Sequence, residues 1–201
     1  VCYEIKENRR IELDYYKNNI IHFFVSASCI ASIILANLRK GKTDYAIDSL
    51  KDSYLFCKRL FAYEFAFSTR LDVEEHIKRT LSYFEGGEII KGTVGLELFK
   101  SLLTNFFEAY LAVLSICKDI TPTEERQLLK ILTKHSHHML LLGRITRPES
   151  ISTPIFKNAL LSFTSMDILK QETDSKGRKT YSWAGNTETA EKVKLLLEEL
   201  C

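Results

Sequence analysis

The chain has 201 residues, 45% of them apolar and 27% charged, with 28 basic against 26 acidic side chains and a formal net charge of +2. That length holds one sizeable domain or two small ones with a real core, and the apolar share excludes a disordered tail. Eight glycines and three prolines, under half the usual share, exclude a many-stranded sandwich or barrel; no G-x-G-x-x-G or G-x-x-x-x-G-K loop is present, and the near-neutral charge demands neither nucleic acid nor an anionic membrane.

The chain opens on Val1, not Met, which suggests a piece of something longer. Residues 1–19 carry charges throughout and show no signal-peptide pattern. The first segment predicts one long helix or two over Glu4–Leu38. Its first half is charged and aromatic. Its second half, Ile20 to Leu38, contains 19 residues with no Asp, Glu, Lys or Arg. Arg39, Lys40 and Gly41 then suit a helix C-terminus. A second helix is expected over Asp44–Phe65, with Leu50, Tyr54, Cys57 and Phe61 at helical spacing. A third opens at Asp72, with Glu75 placed as in a capping box, and stops at Gly86-Gly87. Glu88-Ile89-Ile90-Lys91 reads as a short strand. Leu96–Ile116 is the most apolar helix, with two apolar seams that imply burial on most sides. A fifth helix is expected to start at Thr121-Pro122 and to end at Gly143.

The last 50 residues read differently. Ser152-Thr153-Pro154 opens a helix to about Ser165. Two strands, Ile168–Gln171 and Lys179–Trp183, flank an Asp174-Ser175-Lys176-Gly177 turn. A final amphipathic helix begins at Thr187. Five cysteines without a C-x-x-C spacing, three of them in apolar helical runs, read as reduced packing residues, and no Cys-based zinc site is expected.

Several features admit a functional and a structural reading. Ile20–Leu38 would span about 28 Å as a helix, close to a bilayer's hydrocarbon thickness. Its diluting Ser26, Ser28, Ser32, His22 and Asn37 favour a buried central helix, with the Ser28–Ser32–Ala36 row letting a neighbour pack closely. His135 and His138 share a helix face, but no H-E-x-x-H accompanies them, and a solvated face is the expected reading. Glu108 is the only charged side chain between Lys100 and Lys118. It is either a functional acid with a raised pKa or, as expected, a rim or ion-paired group. Lys170, Lys176, Arg178 and Lys179 give the hairpin a basic character, yet the helix ahead of it carries one cation, Lys157, where a DNA-reading helix normally carries several polar groups. Composition and motifs reveal no catalytic machinery.

A more specific signal is Arg10-Ile11-Glu12-Leu13-Asp14-Tyr15-Tyr16-Lys17-Asn18-Asn19-Ile20-Ile21-His22-Phe23-Phe24. It resembles the segment that follows the catalytic domain in glycerol-3-phosphate acyltransferases. Further blocks follow in that family's order: Leu60-Phe61-Ala62-Tyr63-Glu64-Phe65, Phe107-Glu108-Ala109-Tyr110-Leu111, Leu142-Gly143-Arg144-Ile145 with Pro148-Glu149-Ser150-Ile151-Ser152, and Phe156–Leu160. The resemblance covers nearly the whole chain. In that family an H-x-x-x-x-D motif carries the chemistry, the His as general base. Here the residues five after His22, His76, His135, His137 and His138 are Ala27, Leu81, Leu140, Leu142 and Gly143. No catalytic residue can therefore be carried over.

The resemblance implies the C-terminal accessory domain of a glycerol-3-phosphate 1-O-acyltransferase, an enzyme that moves a fatty acyl group from acyl-CoA or acyl carrier protein to glycerol 3-phosphate. The implied partners are the catalytic acyltransferase domain of the same chain and a membrane surface on the cytoplasmic face, without nucleic acid. No cofactor and no metal are implied. Tyr15, Tyr16, Lys17, Asn18, Asn19 and His22 become candidates for an interdomain contact near the active site. The expected fold is mainly α: a multi-helix bundle over 1–145, ending in a small winged-helix-like α/β element over 146–201 packed on the bundle. The alternatives are a non-enzymatic winged-helix-type module binding nucleic acid or protein, and an integral membrane protein spanning at Ile20–Leu38 and Leu96–Ile116.

Overall fold

A computed structural model describes residues 16–17, 19–42, 46–67, 72–86 and 93–201. Among them the chain forms seven α-helices and a three-stranded antiparallel sheet, so the mainly α expectation holds. The helices are α1 (Val25–Arg39), α2 (Ile47–Leu60), α3 (Val73–Gly86), α4 (Thr93–Ile116), α5 (Glu125–Leu141), α6 (Thr153–Ser165) and α7 (Thr187–Leu200). The strands are β1 (Thr123–Glu124), β2 (Leu169–Thr173) and β3 (Lys179–Trp183).

The two most apolar helices pack on each other at the centre. In α1 every residue from Ser28 to Ala36 is buried, and its most extensive contact is with α4. Ser28, Ser32 and Ala36 are all enclosed, and Ser32 Oγ donates to the Ser28 carbonyl at 2.8 Å. The helix is 15 residues long, so it spans about 22 Å. No helix among the described residues is long and apolar enough to cross a membrane. The apolar stretch is therefore a core helix that other helices surround. A 3-10 turn at Ile21–Phe23 precedes it, so the first segment is broken there. The turn buries Ile21 and brings Phe24 to 6.1 Å from Phe99, ring centre to ring centre.

Helix ends follow local chemistry. Gly41 adopts φ 73°; its amide bonds Leu38 O at 2.9 Å while that of Lys42 bonds Asn37 O at 3.0 Å. This is the paired closure a left-handed residue permits. Gly143 closes α5 in the same way, with Gly143 N to Leu140 O and Arg144 N to Met139 O. Asp72 caps α3, but its carboxylate accepts from the Glu74 amide, one residue earlier than a capping box places it. Asn186 caps α7 by accepting from Thr189 N at 3.1 Å. Asn186→Ala is expected to destabilise the chain by about 1 kcal/mol, read as a lowered midpoint in urea unfolding.

Phe61, at the end of α2, sits among Phe65, Phe106, Phe107 and Tyr110, with ring centres 5.1 Å from Phe107 and 5.2 Å from Tyr110. Cys29, Cys57 and Cys117 are free and buried. Burial pushes the Cys29 thiol well up, with the Cys57 thiol beside it; both are packing groups.

The fifth helix departs from expectation. It begins at Glu125, not at Thr121-Pro122. The backbone ahead of it is extended and belongs to the sheet: Thr123 pairs with Tyr181, Glu124 with Thr180, and Trp183 N donates to Ile120 O at 2.9 Å. The strand order is β1-β3-β2. The hairpin β2–β3 forms as expected, its turn held by Asp174, whose carboxylate accepts from Lys176 N, Arg178 N and Arg178 Nε. The expected 1–145 bundle and 146–201 element therefore share one sheet. The expected strand at Glu88–Lys91 lies outside the described residues.

Candidate interdomain site

Tyr15 and Asn18 lie outside the described residues. The rest of the entry block divides by exposure. Lys17 turns inward onto α4, its Nζ donating to Asn105 Oδ1 at 3.1 Å and lying 5.9 Å from the centre of the Phe106 ring. Asn105 is itself buried, and its Nδ2 has no hydrogen-bond partner among the described residues. Lys17 thus anchors the block to the bundle. Asn19 and His22 are exposed, and the His22 ring lies 3.9 Å from the ring of Phe23.

Tyr16, Ile20 and Phe23 expose 66%, 53% and 74% of their surface. Their spacing of four and three puts them along one side of the entering chain, and large apolar groups so exposed mark contact surfaces. Phe23 also lines a cavity of about 380 Å³ with Phe24, Ala27, His76, Arg79, Tyr83 and Phe99. Sequence reading singled out Tyr16, Asn19 and His22 but missed Ile20 and Phe23. The period of three and four was the available signal.

The other motif blocks meet inside the bundle. Glu108 on α4 is 5% exposed. It accepts from Thr146 N (2.8 Å), Thr146 Oγ1 (2.7 Å), Arg147 N (3.0 Å) and Ser150 Oγ (2.6 Å). Neither a rim position nor a basic side chain accounts for it. A buried carboxylate here accepts from the backbone amides of an irregular loop, as a capping side chain does at a helix start. It stitches the E-A-Y block to the G-R-x-x-x-P-E-S block.

A second junction joins the L-F-x-x-E-F block to α4 and α6. Desolvation pushes the Glu64 carboxyl up to about 7, with the Asn158 and Tyr110 side chains beside it partly opposing the shift. Glu64 Oε1 and Tyr110 Oη are enclosed without a hydrogen bond among the described residues. Ser162 Oγ donates to Leu60 O at 2.7 Å alongside. Sequence reading placed Glu64 in a family block but did not single it out as a buried acid, although a lone acid in an aromatic run was the clue.

The remaining candidates are structural. Ser115 Oγ lies 2.7 Å from His135 Nε2. Among the described residues no cluster of three or more His, Cys, Asp or Glu is placed to hold a metal. Ser26 Oγ lies 3.1 Å from His76 Nε2, a pairing that activates hydroxyls in some enzymes. Here Tyr54 donates to the same oxygen at 2.9 Å, making the three a packed hydrogen-bond chain. In the hairpin, Asp174 holds Arg178 at 2.8 Å, and Lys157 on α6 lies 3.4 Å from Glu125.

Two comparisons bear on this arrangement. The model of the glycerol-3-phosphate acyltransferase C-terminal region matches residues 1–172. The glycerol-3-phosphate acyltransferase of Pasteurella multocida (strain Pm70) is 23% identical over 179 residues, covering 84% of this chain and 22% of the relative. The chain thus spans about a fifth of that curated relative's length. The match runs through the entry block and both buried junctions, and on it the chain belongs to the family of the glycerol-3-phosphate acyltransferase C-terminal region.

Proposed function

We propose that this chain is a non-catalytic accessory region of a glycerol-3-phosphate 1-O-acyltransferase and docks on the catalytic domain of the same protein. The parent enzyme transfers a fatty acyl group from acyl-CoA or acyl carrier protein to glycerol 3-phosphate, forming 1-acylglycerol 3-phosphate for phospholipid synthesis. It works as a peripheral protein at the cytoplasmic face of a membrane. The family match supports the parentage. The observation that carries the docking role is the exposed strip of Tyr16, Ile20 and Phe23, held in place by the Lys17–Asn105 bond. Aromatic groups at such a position give large contact area at low entropic cost.

In the full-length enzyme, Tyr16→Ala combined with Asn19→Ala is expected to lower acyl transfer to glycerol 3-phosphate by about tenfold, equivalent to about 1.4 kcal/mol of lost contact. Both side chains are exposed here, so the loss of activity is expected to exceed any change in the melting of the 201-residue chain itself, which is measured beside it. Unaltered activity and unaltered melting of the full-length enzyme would remove the docking role.

A second reading concerns the C-terminal part. The order α4-β1-α5-α6-β2-β3 with the sheet arranged β1-β3-β2 supports a winged-helix-like element. We assign it to protein contact and not to DNA. The hairpin's Arg178 is held by Asp174 and the lone cation of α6 is held by Glu125, which leaves α6 without a charged group to read bases. Micromolar, salt-dependent binding to duplex DNA would reverse that assignment.

A further inference from the structure

Between Glu125 and Glu149 the chain carries no carboxylate, but it carries Arg126, Lys130, Lys134, Arg144, Arg147 and three histidines. Folding sorts these residues. Helix α5 turns Leu128, Leu132, Ser136 and Met139 inward. Its opposite side exposes Arg126, Lys130, Lys134, His137 and His138. Lys130, Lys134 and His137 follow one another at steps of four and three, so they form a single stripe. They also line a groove of about 470 Å³ with Leu129, Thr133 and Thr153, in which no wall is acidic.

The stripe ends in leucines. Leu141 exposes 85% of its surface and Leu142 55%. Ile131, within the cationic face, exposes 45%. The leucine tip is displayed by the fold and is not a fraying end. The Gly143 turn closes the helix immediately after it, Ile145 is buried two residues later, and Glu108 grips Thr146 and Arg147.

From this geometry we infer that the exposed face of α5 is a docking surface for an anionic phospholipid bilayer. Lys130 and Lys134 meet lipid phosphates, and Leu141 and Leu142 enter the boundary between headgroups and acyl chains. The pairing of charge with exposed leucine decides the partner. A polyphosphate chain rewards the cations but leaves the leucines in water, whereas a bilayer surface takes both. The inference rests on the membrane-surface reading above, and it adds which face makes the contact.

The test is co-sedimentation of the 201-residue chain with vesicles of phosphatidylcholine containing roughly a third phosphatidylglycerol, beside vesicles of phosphatidylcholine alone. Saturable, salt-sensitive binding to the anionic vesicles alone is expected. The pair Lys130→Glu with Lys134→Glu is expected to weaken it by at least about tenfold. Leu141→Ser with Leu142→Ser is expected to weaken it about fivefold while leaving the salt sensitivity intact. All four side chains are exposed, so far-ultraviolet circular dichroism and melting should match the parent chain. Absent binding to anionic vesicles, equal binding to neutral ones, indifference to both pairs, or equal affinity for duplex DNA would each overturn the assignment. Vesicle binding does not involve Tyr16 or Asn19, so its failure is separable from failure of the interdomain dock.

Discussion

Replacing Glu108 by alanine is expected to destabilise the chain by about 4 kcal/mol. The substitution strips four donors of their acceptor at once, two of them the backbone amides of Thr146 and Arg147. Ser150 is fully buried, so its hydroxyl has no route to water. Each buried donor left unpaired costs about 1–3 kcal/mol, and partial relaxation of the loop trims the sum. In a chain of this size each kcal/mol moves the melting temperature by about 2–4 °C, which gives a fall of roughly 8–16 °C by calorimetry. Glu108→Gln retains the volume and one acceptor oxygen, so about half that loss is expected. A fall below about 2 °C for the alanine variant would mean that the loop from Gly143 to Ser152 is held by other contacts.

The second large effect depends on pH. Glu64 titrates at about 7 in the folded chain against an ordinary 4.5, with burial as the main cause. Below about pH 4.5 the folded and unfolded chains both hold this proton, and the contribution is neutral. Between 4.5 and 7 only the folded chain keeps it, so stability falls as pH rises. Above 7 the folded chain holds a buried anion at a cost of about 3 kcal/mol. Tyr110 from α4 and Asn158 from α6 are the polar groups facing it, and neither supplies a positive charge. Glu64→Gln is therefore expected to stabilise the chain by about 2–3 kcal/mol at pH 8 and to have little effect at pH 4.5. Urea unfolding at the two pH values measures this directly. Equal effects at both would show that the shift is absent.

The parts of the fold that rest on local chemistry were legible in the sequence. The helix ends at Gly41 and Gly143, the hairpin around Asp174 and the buried faces of α1, α2 and α4 all follow from periodicity and turn residues. The misplaced start of α5 shows where that reasoning stops. Thr121-Pro122 is a sound local start signal, but residues 120–124 are taken up by pairing with β3, some 60 residues away in the chain, and no nearby residue announces it. Glu108 shows the same limit. Its partners are main-chain amides and hydroxyls 38–42 residues distant, which a search for charged side chains passes over. The entry block was found through motif resemblance, yet the division of labour within it was not. Lys17 turns to the bundle and Tyr16, Ile20 and Phe23 turn outward, because only the folded chain places Asn105 within reach of the lysine.

The buried junctions also bear on function. Glu108 ties the loop after α5 to α4, and the five histidines lack the Asp spacing of the family's catalytic motif. On the function proposed above, the chemistry is carried by the catalytic domain of the parent enzyme, and this region supports it by contact. The most direct test is to incubate the purified chain, shown to be folded by circular dichroism, with acyl-CoA and radiolabelled glycerol 3-phosphate, beside the full-length enzyme. Product from the full-length enzyme and none from the chain is expected. Labelled 1-acylglycerol 3-phosphate formed by the chain alone would contradict the assignment of this region as an accessory without chemistry of its own.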